Sequence, residues 1–157
     1  QHLLSNEIHL HKGYRRSQGL IFRKDDEKFS ACNTDFENLF HQIINNPEVH
    51  MINRNRGSGT RVLLDRYLGD HQPSGFFQEA KSHNSVAAAV AQKRADWGFA
   101  IRSVAEESGL GFIPIQDEEY DFVIPKERLQ RPEINSFLKL FEEKDIKKKL
   151  SELGFKT

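Results

Sequence analysis

The chain has 157 residues and no formal net charge, because 23 Lys and Arg side chains balance 23 Asp and Glu side chains. This length suits one domain with a moderate core or two small lobes. The charge balance argues against direct binding of nucleic acid, which usually requires a basic excess. No apolar run approaches the roughly 20 residues of a membrane-spanning helix, so no membrane contact is expected. The single cysteine, Cys32, allows no intrachain disulfide, and the composition suits a reducing, cytoplasmic location.

The first third of the chain predicts two strands separated by a helix. Residues 19–22 form a short apolar run that is typical of a buried strand. A helix is predicted over residues 33–46, where Thr34 and Glu37 form a capping box ahead of an apolar stripe. Residues 49–53 predict the next strand.

The rest of the chain alternates between predicted strands and helices, which is typical of an α/β sheet with parallel strand pairs. Further strands are predicted over residues 75–79, 95–101, 112–115 and 120–124. Further helices are predicted over residues 59–68, 82–91, 103–108, 132–142 and 145–153.

The run from Asn53 to Arg61 joins a strand end, a glycine-bearing turn and a helix start. At a helix start several backbone N–H groups have no partner inside the helix, and the helix dipole is positive there. Glycines let a backbone approach a ligand closely, while hydroxyls and arginines add hydrogen bonds and positive charge. The run therefore predicts a site for a small oxyanion. Its candidate ligand-binding residues are Arg54, Arg56, Gly57, Ser58, Gly59, Thr60 and Arg61.

A plainer interpretation of the same run is a serine-capped helix whose arginines lie on a solvated face. The residues do not show which arginine points inward, and Arg54 or Arg56 could hold the turn itself. The run is not a nucleotide P-loop, because no Gly-Lys-Ser/Thr follows at the right spacing. It is not a dinucleotide fingerprint either, because the third glycine is absent.

A second helix entrance is predicted at His83, Asn84 and Ser85, after the strand that ends at Glu79. Ligands of open α/β sheets bind beyond the carboxyl ends of the strands, so both entrances could face one crevice. For His83 we prefer a hydrogen bond at the helix entry, or a ligand contact, over a role as general base. The sequence offers no obvious acid–base pair, so no catalytic residue is assigned.

Metal binding finds little support in the sequence. His2, His9 and His11 lie close together within residues 1–14, a stretch with little organised pattern. A metal site needs ligands that converge in space, usually three or four of them. No metal ligand is assigned, and no tightly bound cofactor is expected.

Six runs of residues, spread in order between residues 14 and 125, carry a resemblance to a known family. They are YRRSQGLI (14–21), NRNRGSGTRVLLD (53–65), SHNSVAAAV (82–90), RADWG (94–98), GLGFIP (109–114) and EYDFVIP (119–125). Together they resemble the periplasmic-binding-protein-like domain found with MoeA-type proteins of molybdopterin biosynthesis. That domain also occurs behind ModE-like DNA-binding modules and is similar to the LysR-type substrate-binding domain.

The resemblance implies an α/β fold of the type II periplasmic-binding-protein kind, with two α/β lobes joined by hinge strands. On this basis residues 1–18 form an N-terminal segment and first hinge, with Ser17, Gln18 and Gly19 as hinge residues. Residues 19–101 form the lobe with the glycine-bearing turn, and residues 102–157 return to the other lobe. Family members carry a further stretch before the position of His2, so the first lobe is expected to be incomplete. An apolar face left exposed in this way predicts a covering partner or a homo-oligomer.

The resemblance favours a non-catalytic sensor domain that binds molybdate or tungstate and reports to a fused or partner domain of MoeA or DNA-binding type. Its ligand-binding residues would be those of the two helix entrances together with Tyr120. A second hypothesis is an accessory or enzymatic domain of molybdopterin biosynthesis that binds a pterin phosphate, with Tyr120 or Trp97 stacked on the pterin. A third is a regulatory interaction domain without a ligand.

Overall fold

A computed structural model describes residues 7–29 and 36–156. Contacts within the chain divide it into two compact units. Residues 17–116 form one, which we call the core unit. Residues 1–16 and 117–157 form the other, which we call the flanking unit. The boundaries predicted from the sequence, after residues 18 and 101, stay a prediction.

Two long strands, β1 and β5, pass from one unit into the other. In chain order, the described strands are β1 (Ile8–Phe22), β2 (Met51–Arg54), β3 (Glu79–Ala80), β4 (Trp97–Ile101) and β5 (Gly111–Pro125). The described helices are α1 (Phe36–Asn45), α2 (Gly59–Leu68), α3 (His83–Ala91), α4 (Arg102–Glu107), α5 (Pro132–Leu140) and α6 (Lys144–Glu152). None of these helices has both the length and the apolar character needed to cross a bilayer.

The strands form a single five-stranded sheet in the order β3-β2-β4-β1-β5. Strand β2 runs parallel to both of its neighbours, β3 and β4. Strand β1 runs antiparallel to β4, with Leu20 opposite Phe99 and Gln18 opposite Ile101. Helices separate the parallel strands along the chain, so the predicted mixed α/β fold is confirmed.

Two apolar layers cover the sheet of the core unit, because successive strand residues point to opposite faces. Leu20, Trp97 and Phe99 point into a cluster with the inner faces of α1 and α2. Ile21 and Ala100 point the other way, into a cluster with the small residues of α3 and α4. The small side chains of α3 therefore allow close packing of this helix on the sheet.

The flanking unit is held together by aromatic side chains. The ring centroid of Phe122 in β5 lies 5.1 Å from that of Phe137 and 5.0 Å from that of Phe141, both on or next to α5. Tyr14 of β1 contacts Phe155, with 4.8 Å between the ring centroids. These contacts join residues that are far apart in the sequence.

Four predicted strands differ from the structure. The strand predicted over residues 19–22 is the end of β1, which begins at Ile8. The earlier start was missed because residues 8–14 are partly exposed and lack a clean alternation. The two strands predicted over residues 112–115 and 120–124 are one continuous strand, β5. The strand predicted over residues 75–79 shrinks to Glu79–Ala80, because Gly75 adopts a positive φ of 85° in a turn that lies against Met51. Cys32, His2 and the Thr34 cap lie outside the described residues.

Candidate functional site

The carboxyl ends of three strands meet at one edge of the sheet in the core unit. Strands β2, β3 and β4 are parallel, and Arg54 of β2 is level with Ala80 of β3. Helices α2, α3 and α4 begin just beyond these ends. Strand β1 runs the opposite way, so Gln18 lies at the same edge, opposite Ile101. We call this the carboxyl edge.

The start of α2 is capped by Ser58, as the sequence predicted. The Ser58 hydroxyl accepts the Arg61 backbone N–H at 3.2 Å and donates to the Asn55 carbonyl at 3.0 Å. The Val62 N–H donates to the Ser58 carbonyl at 3.1 Å and closes the first turn. Gly59 and Thr60 come earlier in the chain than this first helical hydrogen bond. Their backbone N–H groups therefore have no partner inside the helix and point out of its end. These two groups are the donors that a bound anion would use.

The start of α3 carries a complete capping box. The Ser82 hydroxyl accepts the Ser85 N–H at 3.1 Å, and the Ser85 hydroxyl accepts the Ser82 N–H at 2.9 Å. The Ser85 hydroxyl is therefore used within the helix entrance. The first helical hydrogen bond of α3 runs from the Val86 N–H to the Ser82 carbonyl. His83 and Asn84 come earlier in the chain, so their N–H groups take part in no helical hydrogen bond, like those of Gly59 and Thr60 in α2.

Arg61 is almost fully buried, with 6% of its surface exposed. Its Nε donates to Asp65 at 2.7 Å and its Nη1 donates to Glu79 at 3.1 Å. Nη1 also lies 3.3 Å from the carbonyl oxygen of Arg54, and the guanidinium is 4.9 Å from the Phe76 ring centroid. Two carboxylates thus balance this cation. The contacts tie the first turn of α2 to strands β2 and β3, and a further role of Arg61 as an anion ligand stays a prediction.

The other two arginines of the turn differ in burial. Arg54 is half-buried at the end of β2, with its Nη2 3.5 Å from the Asn55 side-chain oxygen. Arg56 is exposed beside Gly57, whose φ is 85°. The neighbouring Asn53 is fully buried, and its amide accepts the Arg54 N–H and donates to the Phe76 carbonyl. The amide of Asn53 therefore fixes the backbone from which the turn starts.

Tyr120 belongs to the flanking unit, unlike the other predicted ligand-binding residues, which all lie in the core unit. Its ring stacks on that of Tyr14, with 5.3 Å between the centroids. The guanidinium of Arg16 lies 4.9 Å from the Tyr120 ring centroid and is paired with Glu118 at 2.6 Å. The predicted ligand role of Tyr120 stays a prediction.

The three predicted hinge residues lie where β1 enters the core unit. Ser17 and Gln18 are buried polar residues, with 6% and 4% of their surfaces exposed. A Cβ atom on Gly19 would lie 2.1 Å from the carbonyl oxygen of Ile113. Glycine therefore permits the close approach of β1 and β5 at this point. A hinge motion of these residues stays a prediction.

Sequence reasoning missed Arg102 as a residue of the carboxyl edge. Arg102 directly follows β4, and its guanidinium lies 4.7 Å from the Phe112 ring centroid and 3.6 Å from Glu106. The signal was present, since Arg102 directly follows the strand predicted over residues 95–101, just as Arg54 follows the strand predicted over residues 49–53. Gln18 was assigned only to the hinge, although its register places it at this edge too.

A charged network lies at the opposite edge of the sheet. Burial opposes ionisation of Asp96, but hydrogen bonds from the His50 N–H, Arg23 and Lys28 outweigh it and lower the pKa of this carboxyl group. Arg23 also donates to the carbonyl oxygen of Ala95 at 2.7 Å. The network joins the end of β1 to the start of β4. It is a structural element rather than a binding site, because its donors and acceptors are paired with each other.

The described residues contain no group of three or more His, Cys, Asp and Glu side chains that could hold a metal ion. The helix-start N–H groups and the arginines of the carboxyl edge are hydrogen-bond donors, which suit an anion, while Glu79 and the Gln18 oxygen add acceptors at the same edge.

Residues 1–142 match the family model described as the PBP superfamily domain. This match covers most of the chain, so the chain belongs to the PBP superfamily.

Two sequence relatives share part of the chain. The uncharacterized protein YvgK of Bacillus subtilis (strain 168) is 34% identical over 116 residues, which are 70% of this chain and 37% of YvgK. This chain thus spans little more than a third of YvgK. An uncharacterized protein in the 5′ region of the ferredoxin 2Fe-2S gene of Clostridium pasteurianum is 31% identical over 99 residues, or 59% of this chain and 88% of that protein.

Solved structures share the fold at low sequence identity. One is a putative phosphate ABC transporter substrate-binding protein with bound phosphate from Clostridium perfringens, with a TM-score of 0.70 and 12% identity over 96% of this chain and 72% of that one. Another is the regulatory domain of MetR, a LysR family regulator from N. meningitidis, with a TM-score of 0.62 and 12% identity over 99% and 71%. The ancestral amino acid-binding protein AncCDT-1 has a TM-score of 0.60 and 16% identity over 99% and 65%. The predicted likeness to type II periplasmic binding proteins and to LysR-type domains is confirmed.

Proposed function

We propose that this chain is a non-catalytic binding domain for a small oxyanion, with molybdate and tungstate as the first candidates. The observation that carries the proposal is the arrangement of α2 and α3. Both helices begin at the same edge of the sheet. The N–H groups of Gly59 and Thr60 in α2 and of Asn84 in α3 come before the first helical hydrogen bond and are not used by the caps. A helix N-terminus stabilises negative charge through these groups and through its dipole.

The arginines at the carboxyl edge have different roles in this proposal. Arg61 is held by Asp65 and Glu79, so it fixes the helix start that presents the Gly59 and Thr60 N–H groups. Arg54, Arg56 and Arg102 supply positive charge around the edge, which attracts an anion at longer range. Selection among anions would then come from cavity size and donor placement.

Two likenesses support the proposal. A structure with the same fold holds phosphate, a tetrahedral oxyanion like molybdate and tungstate. The likeness to the MetR regulatory domain supports a sensor that reports to an attached domain, such as a DNA-binding one. The choice of molybdate or tungstate, and the link to MoeA-type proteins, rest on the sequence resemblance alone.

The experiment uses Gly59, the first residue of α2. Gly59→Pro removes its N–H, yet proline is well tolerated at a first helical position. The preceding residue must be extended, and Ser58 already has φ −76° and ψ 145°. Gly59→Ala is the matched control, because it adds a side-chain carbon and keeps the N–H.

Calorimetric titrations would use molybdate, tungstate, sulfate and phosphate. We expect wild type and Gly59→Ala to bind one oxyanion, and Gly59→Pro to bind it about tenfold more weakly, since a hydrogen bond to a charged group is lost. Equal affinity in all three proteins would remove the α2 entrance from the site. No binding of any oxyanion by wild type would overturn the proposed function.

A further inference from the structure

Gln18 is a buried polar residue whose hydrogen bonding is incomplete. Only 4% of its surface is exposed, and its Oε1 atom is buried without a hydrogen-bond partner in the described part of the chain. Buried side-chain oxygens in folded proteins nearly always have a partner, so such an exception needs an explanation. Asn53, a buried amide on the same sheet, has partners for both its oxygen and its nitrogen.

The place of Gln18 in the sheet connects it with the start of α2. Gln18 shares a face of β1 with Leu20 and Phe22, because side chains alternate along a strand. Leu20 and Phe22 pack in the same cluster as Leu63 and Leu64 of α2. Gln18 lies one step nearer the carboxyl edge than Leu20, at the end of the sheet where α2 begins.

We propose that Gln18 is a specificity-determining residue of this edge and that its Oε1 accepts a hydrogen bond from a protonated oxygen of the bound oxyanion. This inference rests on the function proposed above. A carboxamide can donate through its nitrogen or accept through its oxygen. Fully deprotonated molybdate or tungstate has no proton to donate, so it could contact only Nε2 and would leave Oε1 unpaired. A phosphate that keeps a proton can donate to Oε1, so this contact favours phosphate.

The proposal predicts that ligand affinity and stability respond in opposite directions to one substitution. In the free domain the unpaired Gln18 oxygen costs stability, because it has left water without gaining a partner. Gln18→Leu removes that cost at nearly the same size, but it also removes the ligand contact. A residue kept only for structure would not behave in this way.

The first measurement compares wild type and Gln18→Leu by thermal unfolding without ligand and by calorimetric titration with the four oxyanions. We expect the thermal unfolding midpoint of Gln18→Leu to rise by roughly 2–4 °C. Its affinity for the oxyanion that wild type binds should fall about tenfold. Asn53→Leu is the control for a buried amide with partners, and its midpoint should fall. Gln18→Met, which is unbranched like glutamine, is the second variant if Gln18→Leu folds poorly.

A second variant, Gln18→Glu, separates the two kinds of ligand. The carboxylate repels molybdate and tungstate, whereas it can still accept a hydrogen bond from a protonated phosphate oxygen. Loss of binding for all anions that lack a proton, with phosphate affected least, supports a direct contact.

Three results would overturn the inference. If wild type binds an oxyanion and Gln18→Leu binds it equally well, Gln18 is not a ligand contact, while the proposed function stands. A lower midpoint for unliganded Gln18→Leu would show that the amide stabilises the free fold. If wild type binds no oxyanion, the proposed function fails and the role of Gln18 fails with it.

Discussion

Arg23 donates to Asp96 at 2.8 Å, and this pair joins the end of β1 to the start of β4. The Asp96 carboxylate also accepts the His50 backbone N–H at 2.8 Å and the Lys28 ammonium at 3.2 Å. Three segments of the core unit thus converge on one side chain that is 14% exposed. The pair lies far from the carboxyl edge, so it can be altered without touching the candidate site.

Substitution of Asp96 should therefore affect stability alone. We expect Asp96→Asn to lower the free energy of unfolding by about 2 kcal/mol at neutral pH, because charge-assisted hydrogen bonds are weakened and Arg23 loses a counter-charge. Urea unfolding measures this difference. Asp25→Asn, at an exposed aspartate next to the network, is the control and should change stability very little.

The same variant gives a pH dependence with a definite sign. The pKa of Asp96 in the folded protein lies below its ordinary value of 3.8. The stabilisation is therefore fully present above about pH 5 and is lost as the pH falls through the folded pKa. The difference in unfolding free energy between wild type and Asp96→Asn should be constant near neutral pH and should become smaller below about pH 4. A gap that widened in acid would contradict this account.

Arg61 and Glu79 provide a test of how the start of α2 is held. We expect Arg61→Met to cost about 1–2 kcal/mol of stability, because Arg61 is buried while its partners Asp65 and Glu79 remain partly hydrated. A double-mutant cycle with Glu79→Gln should show positive coupling in urea unfolding. Arg66→Met, at an exposed arginine on the same helix, is the control. Additive effects would mean that the contact between Arg61 and Glu79 contributes nothing measurable.

Gly19 tests the close approach of β1 to β5. A Cβ atom there would lie 2.1 Å from the carbonyl oxygen of Ile113, so a strand must move to admit it. We expect Gly19→Ala to lower stability by about 2 kcal/mol or more in thermal or urea unfolding. Gly59→Ala, on an exposed helix end, should be close to neutral. A neutral Gly19→Ala would show that the two strands separate easily.

Local signals in the sequence were enough to place the helix entrances. Ser58 caps α2, as in the plainer interpretation of its run, and Ser82, the first residue of the helix predicted over residues 82–91, caps α3. A cap depends on residues only three positions away. The α/β alternation was also readable, since the core-unit parts of β1, β2 and β4 carry dense apolar runs.

Contacts between distant residues were not readable from the sequence. The burial of Arg61 depends on Glu79, which lies 18 positions further along the chain. The exposed half of β1 has no apolar alternation, so residues 8–14 gave no strand signal. The position of Gln18 at the carboxyl edge follows from its antiparallel register with Ile101, which no local pattern encodes.

The passage of β1 and β5 through both units has a consequence for the order in which the chain folds. Residues 17–116 are continuous in sequence, whereas the flanking unit needs segments from both sides of them. In topology the core unit is thus an insertion within the flanking unit. During synthesis on the ribosome, the core unit can close its sheet and both apolar layers before residues 117–157 emerge. The flanking unit needs that second segment, so we expect its aromatic cluster to assemble after the core unit.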